Sequence, residues 1–177
     1  MAGERVPVVV LEGANSDCSA RQEKKHLMRL ALNNEIRLVM TDITPAYDVR
    51  PGEWDAAGFQ ATKTIVEKRS DRVKFIVKNP KDDVENAARV KGALDAWGSK
   101  ADLVIINAPN QVHLPIIKFW LNHQDALLNQ RGAIVTQKPL SDKLEEAEEL
   151  LLSLPPEQVS KVYVFGDRGL GTSQRYL

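Results

Sequence analysis

The sequence predicts an α/β fold, a single domain with a doubly wound parallel sheet of about six strands and helices on both faces. Three observations predict it. Short unbroken apolar runs, such as Val8 to Leu11 and Leu103 to Ile106, read as strands buried on both faces. Amphipathic helical stretches alternate with these runs along the whole chain, and that alternation implies parallel strands joined by helical crossovers. The first run closes on Gly13-Ala14-Asn15-Ser16-Asp17, a small-residue turn that leads into a helix.

Each element follows from local chemistry. Pro7 lacks an N–H but sits at the leading end of the first strand, where it is tolerated. Ser16 or Asp17 caps a helix running to about Leu32, with Arg21, Lys24, Lys25 and Arg29 outward and Leu27, Met28, Leu30 and Leu32 available for the core. Ile36 to Met40 is the second strand, and Asp42 follows it. Thr44 to Gly52 holds two prolines and reads as a loop. Glu53 to Lys68 reads as a helix with Trp54, Ala57, Thr64 and Ile65 inside. Val73 to Val77 is the third strand. Asp82 to Trp97 places Val84, Ala87, Ala88, Val90, Leu94 and Trp97 at helical spacing. Asp102 to Ile106 is the fourth strand, broken by Pro109 and Asn110. A helix spans Leu114 to about Asn129, and Ala133 to Thr136 is the fifth strand. Ser141 caps the next helix, whose acidic first turn suits the helix dipole and which ends before Pro155-Pro156. Val162 to Phe165 is the sixth strand, and Gly166 to Gly171 is a loop. A central strand followed by a small-residue turn and a helix is how a Rossmann-like sheet begins.

Composition excludes several classes. The 177 residues are 43% apolar and 27% charged, with a formal net charge of zero. That balance offers no basic surface for nucleic acid or an acidic membrane. No apolar run approaches the roughly 20 residues that span a bilayer. The opening Met-Ala-Gly-Glu-Arg lacks a signal peptide's apolar segment, so a cytoplasmic location is expected. Cys18 is the one cysteine, which rules out an internal disulfide and a cysteine metal cluster. His26, His113 and His123 are dispersed and show no metal-ligand spacing. Cys18 at a helix start would have a lowered pKa, yet no paired base stands near it in sequence.

Several segments resemble the coenzyme domain of glucose-6-phosphate dehydrogenase. Gly13-Ala14-Asn15-Ser16-Asp17-Cys18-Ser19 stands where that family has Gly-Ala-Ser-Gly-Asp-Leu-Ala. Val135-Thr136-Gln137-Lys138-Pro139-Leu140-Ser141, before an acidic helix, is similar to its strand running into Glu-Lys-Pro-Phe-Gly. Gly166-Asp167-Arg168-Gly169-Leu170-Gly171-Thr172 lines up with Ile-Asp-His-Tyr-Leu-Gly-Lys. Ala87 to Leu94 resembles the helix before its fourth strand. Ala108-Pro109-Asn110 resembles its Ala-x-Pro-Pro corner and the Thr-Pro-Asn corner of the glucose-fructose oxidoreductase type. The resemblance covers nearly the whole chain and implies a Rossmann-type domain, a nicotinamide dinucleotide (NAD or NADP) and a soluble oxidoreductase setting. The departures are specific. The family's second loop glycine is Ser16, its substrate-phosphate histidine is Arg168, its closing lysine is Thr172, and its second domain is missing. The resemblance therefore implies fold and descent, without glucose 6-phosphate oxidation.

The candidate site gathers at the carboxyl ends of the strands. Gly13, Ala14, Asn15, Ser16 and Asp17 offer backbone N–H groups to a phosphate, against the plainer reading that Gly13 permits a tight turn. Asp42 can accept from a ribose hydroxyl, or act as a loop or cap residue; as an acceptor it favours NAD over NADP. Ala108, Pro109 and Asn110 shape the cofactor corner. By the resemblance, Lys138 and Asp167 keep the charge and place of family site residues, against the plainer reading of Lys138 as a surface lysine after a strand; Asp167 and Arg168, ending the next strand, read as an acid–base group or anion clamp, or as a salt bridge anchoring the tail. His113 is an acid–base candidate, with helix-entry packing as the alternative. Trp54, Trp97 and Trp120 read as core or interface.

Three functions stay open. One is a small enzyme acting on a small anionic or sugar-like metabolite, with NAD(P) or with the cofactor lost. The second is a non-catalytic nucleotide-binding or regulatory chain. The third is a subunit completed by another chain. A homo-oligomer is expected, with Phe119, Trp120, Tyr176 and Leu177 as surface candidates.

Overall fold

The computed structural model describes residues 5–15, 18–44, 56–137 and 139–165. β1 (Val8–Glu12) is buried at every position and runs between β2 (Arg37–Asp42) and β4 (Ala101–Ile106), parallel to both. β3 (Val73–Val77) lies outside β2. β5 (Leu128–Gln137) and β6 (Val162–Phe165) extend the other side. The order is β3-β2-β1-β4-β5-β6, with every pair parallel. The winding direction reverses between β1 and β4, and such a reversal opens a crevice outside the carboxyl ends of the strands.

The helices in chain order are α1 (Cys18–Leu32), α2 (Ala56–Lys68), α3 (Asp83–Asp95), α4 (His113–Asn122), α5 (Gln124–Leu127), α6 (Leu144–Ser153) and α7 (Pro156–Val159). Strand alternation sends side chains into two cores. Val9 and Leu11 join Leu38, Met40 and Val73 against Leu27, Met28 and Ala31 of α1. Val8 and Val10 join Val39, Val104, Ile106 and Ile134 against Val90 and Leu94 of α3, Ile117 and Trp120 of α4 and Leu150 of α6. The expected doubly wound Rossmann-like architecture is therefore present. Each fully buried aliphatic side chain stabilises it by about 1.5–3 kcal/mol. Among the described residues, no helix is long and apolar enough to cross a membrane.

Some local expectations are corrected. The helix expected to reach Asn129 ends at Asn122, because His123 leaves helical dihedrals (φ −111°, ψ 15°). β5 then starts at Leu128, five residues before Ala133. Gly132 suits the close passage there, since a Cβ would lie 2.9 Å from the Ala101 carbonyl oxygen. Val84 is exposed, while Asn86 is buried and exchanges two hydrogen bonds with the Asn79 backbone. Asp82 caps α3 by accepting from the Glu85 N–H. Lys24 is buried, not outward, and Thr64 is exposed, not inside. Ser141 does not cap α6; its hydroxyl accepts from the N–H of Lys143, the residue just before the helix. Trp97 is half-buried between the Arg37 guanidinium and the Lys74 ammonium. Burial, then the nearby Arg37 charge, holds Lys74 below the usual lysine range. Phe119 and Trp120 are buried, so they do not form an interaction surface. Trp54, Tyr176 and Leu177 lie outside the described residues.

The last residue of β1 carries the sheet's central polar contact. The Glu12 side chain is buried on the face that packs against α4. Its Oε1 accepts from Lys78 Nζ (2.7 Å) and Trp120 Nε1 (2.7 Å), and its Oε2 accepts from Thr41 Oγ1 (2.5 Å). Lys78 Nζ also lies 4.0 Å from the centre of the Phe119 ring. Removing one partner of a buried pair leaves an uncompensated charge. Lys78→Met should cost about 3 kcal/mol in urea unfolding, and Glu12→Leu combined with Lys78→Met should recover most of that loss. A single Lys78→Met as stable as the parent protein would contradict this account.

Candidate functional site

The first turn follows β1 directly. Gly13 has φ of 73°, and a Cβ on it would sit 2.8 Å from the Ala108 nitrogen. Glycine is thus required twice over, by the left-handed backbone and by the close approach of the residues after β4. The Gly13 and Ala14 N–H groups donate to the Thr41 carbonyl at 3.0 and 3.1 Å. The Asn15 N–H donates to Asp42 Oδ2 at 2.8 Å. Asp42 Oδ1 accepts from the Thr44 N–H (3.0 Å) and the Thr44 hydroxyl (2.9 Å). The Asn15 side-chain amide donates back to Thr44. Asp42 is the last residue of β2, which runs two residues beyond the expected end at Met40, and its carboxylate organises the turn. Ser16 and Asp17 lie outside the described residues.

The corner after β4 is held by His113. Pro109 precedes a single 3-10 turn at Asn110–Val112, and α4 starts at His113. The His113 ring is buried. Its Nε2 lies 2.7 Å from the Ala108 carbonyl. Its Nδ1 lies 3.1 Å from the Pro139 carbonyl and 3.2 Å from the Thr136 hydroxyl. The ring thus bolts the Ala108-Pro109-Asn110 corner to the end of β5. These contacts are the kind that the helix-entry packing alternative expects. His26 is exposed, and His123 is half-buried against the Phe119 ring.

Beside the corner, α1 and the ends of β4, β5 and β6 enclose a crevice of about 260 Å³. Ile105, Ile106 and Val135 give it apolar walls, and Glu23, Asn107, Thr136 and Gln137 give it polar ones. The two carboxamides reach the Glu23 carboxylate: Asn107 Nδ2 donates to Oε2, and Gln137 Nε2 donates to Oε1 at 3.4 Å. Phe165 stands at the exposed rim. Glu23, Asn107 and Gln137 were not singled out by the sequence reading. Asn107 and Gln137 are the first residue past β4 and the last of β5, which is where the strand-end rule points. Glu23 lies in the polar stretch Arg21 to Lys25, which gives no sign of facing a crevice. Lys138, Asp167 and Arg168 lie outside the described residues. Their neighbours Gln137 and Phe165 are partners in register. Among the described residues, no three His, Cys, Asp or Glu side chains converge on a metal position.

This order of strands, with its reversal between β1 and β4 and a small-residue turn after β1, defines a Rossmann-type α/β domain. No protein-family model and no curated protein sequence matches the chain. Solved structures do match it in fold. Glucose-6-phosphate 1-dehydrogenase from Mycobacterium avium superposes with a TM-score of 0.58 at 16% identity, over 91% of this chain and 36% of that one. The WlbA (WbpB) dehydrogenase from Thermus thermophilus, solved with NAD and UDP-GlcNAcA, gives 0.51 at 17% identity, over 89% and 41%. YwfH, an NADPH-dependent reductase involved in bacilysin biosynthesis, gives 0.51 at 12% identity, over 92% and 76%. The chain thus has the fold of dehydrogenase nucleotide-binding domains, and it spans well under half of the first two structures.

The double demand on Gly13 has a measurable outcome. Gly13→Ala should lower stability by about 2–4 kcal/mol, from left-handed backbone strain and overpacking against Ala108. Thermal unfolding measures it, and a variant within 0.5 kcal/mol of the parent (about the scatter of surface substitutions) would refute the close packing.

Proposed function

We propose that the chain is an oxidoreductase-type Rossmann domain. It takes a nicotinamide dinucleotide across the switch point and works on a small anionic or sugar-like metabolite in the crevice. The observation that carries this reading is the polar crevice outside β4 and β5, built from Glu23, Asn107, Thr136 and Gln137. Its volume, about 260 Å³, lies just below the range of about 300–1,000 Å³ for pockets that enclose drug-sized ligands. It suits a small polar molecule or one ring of a larger one. A carboxylate between two carboxamides offers acceptors and donors together. The walls of Ile105, Ile106 and Val135 keep water from one side of the ligand.

The residues present fit the cofactor at both ends of the crevice system. Asn107 and Gln137 would hold a carboxamide-bearing ring, and Asp42 lies where a ribose would approach β2. A nicotinamide, when bound, supplies hydride transfer. In the same reading Lys138 holds the anionic part of the metabolite, Asp167 moves the proton, and Arg168 clamps beside it. A non-catalytic nucleotide-binding or regulatory subunit is the second reading. It draws on one observation, that the N–H groups of the first turn end on Thr41 and Asp42 within the chain. Self-association or pairing with another chain belongs to the same proposal and is read by sedimentation at micromolar concentration.

Titration calorimetry with NAD and NADP tests the first reading. NAD should bind more tightly, because Asp42 repels a 2′-phosphate; tighter NADP binding would overturn that assignment. A bound ligand at a hundred times its dissociation constant should add about 2.7 kcal/mol of stability. Lys138→Ala should weaken binding of an anionic metabolite at least tenfold (~1.4 kcal/mol), while changing stability by no more than about 0.5 kcal/mol. Unchanged binding would place function elsewhere. Glucose 6-phosphate should not be oxidised, given Arg168 and Thr172. Turnover by contaminant-free protein, followed by NAD(P)H absorbance, would reverse that conclusion.

A further inference from the structure

The Asp42 carboxylate meets the first turn as an anion would. Three successive N–H groups, those of Gly13, Ala14 and Asn15, face the end of β2. Two end on the Thr41 carbonyl, and the third ends on Asp42 Oδ2 at 2.8 Å. A carboxylate accepting from a backbone N–H makes a charge-assisted bond, shorter and stronger than a neutral one. It is also the kind of donor that a phosphate oxygen uses in front of a helix. The carboxylate is held from its other side by both donors of Thr44, and the Asn15 amide reaches back to the same threonine. Turn and strand end are closed on each other through one charged group.

We propose that Asp42 is an internal occupant of the phosphate-binding turn, and so determines its affinity and specificity. In the free protein it holds the Asn15 N–H, and it must release that donor before the phosphate of a dinucleotide can take it. The inference rests on the reading that a dinucleotide uses this turn. It reverses the expected sign of a mutation. A residue that only receives ribose hydroxyls weakens binding when truncated. A residue that blocks the donor strengthens it.

The test uses the full chain, with inorganic pyrophosphate and ADP-ribose as probes, followed by calorimetry and by backbone amide resonances. Pyrophosphate has no ribose and reports on the turn alone. Asp42→Ala should bind it at least tenfold more tightly than the parent protein. Asp42→Asn keeps an acceptor for the Asn15 N–H but loses the charge, so it should fall between the two. The Asn15 amide resonance should respond to pyrophosphate most strongly in Asp42→Ala. Far-UV circular dichroism checks that both variants fold, and Asp42→Asn carries the test if Asp42→Ala does not. Equal gains in the two variants would assign the effect to charge alone and overturn the proposal. So would pyrophosphate affinity unchanged or weakened by Asp42→Ala. If ADP-ribose and pyrophosphate bind neither the parent nor the folded variants, the dinucleotide reading itself fails and takes this inference with it. If ADP-ribose binds all three alike, only this inference fails.

Discussion

A carboxylate buried at the end of the central strand sets the terms for this fold. Removing a charge from water costs several kcal/mol unless good partners replace the hydration. Glu12 obtains them from three separate places: Thr41 on β2, Lys78 just past β3, and Trp120 on α4. The contact closes only when all three elements are in their native positions. Apolar burial alone is non-directional and tolerates small slips between strands. The Glu12 contacts do not. Lys78 reaches β1 across the width of β2, so the order of three neighbouring strands is written into one set of hydrogen bonds.

The same strand end shows why the turn that follows looks as it does. Gly13 in many Rossmann folds invites the explanation of phosphate approach. Here the approach is made by Ala108, whose backbone occupies the space a side chain would need. The backbone N–H groups of Gly13, Ala14 and Asn15 end within the chain, on Thr41 and Asp42. One step along the sheet, Asn107 and Gln137 project from the ends of β4 and β5 toward Glu23.

The architecture was largely legible in the residues. Apolar runs and helical periodicity report which face an element buries, and that is enough to order a parallel sheet. They do not report partners. Glu12 falls between the apolar run and the turn, and nothing local links it to Trp120, 108 positions away. Lys24 and Lys25 look alike in sequence, yet one is buried and the other exposed. Asn86 was hidden for a related reason: a polar residue in a helix pattern reads as surface unless the loop it bonds, at Asn79, is known. His113 was legible in kind but open in role until its two ring nitrogens were placed against the Ala108 and Pro139 carbonyls.

That last arrangement also bears on how such a chain can change over generations. Gly13 rests on Ala108, Ala108 is gripped by His113, and His113 holds Pro139; nearby, Gln111 bonds Asp142 at the approach to α6. Three loops are here cross-braced to one another. Lengthening any one of them would pull the other two out of place. Exchanging single side chains around the crevice leaves these contacts in place, whereas a change in loop length breaks them.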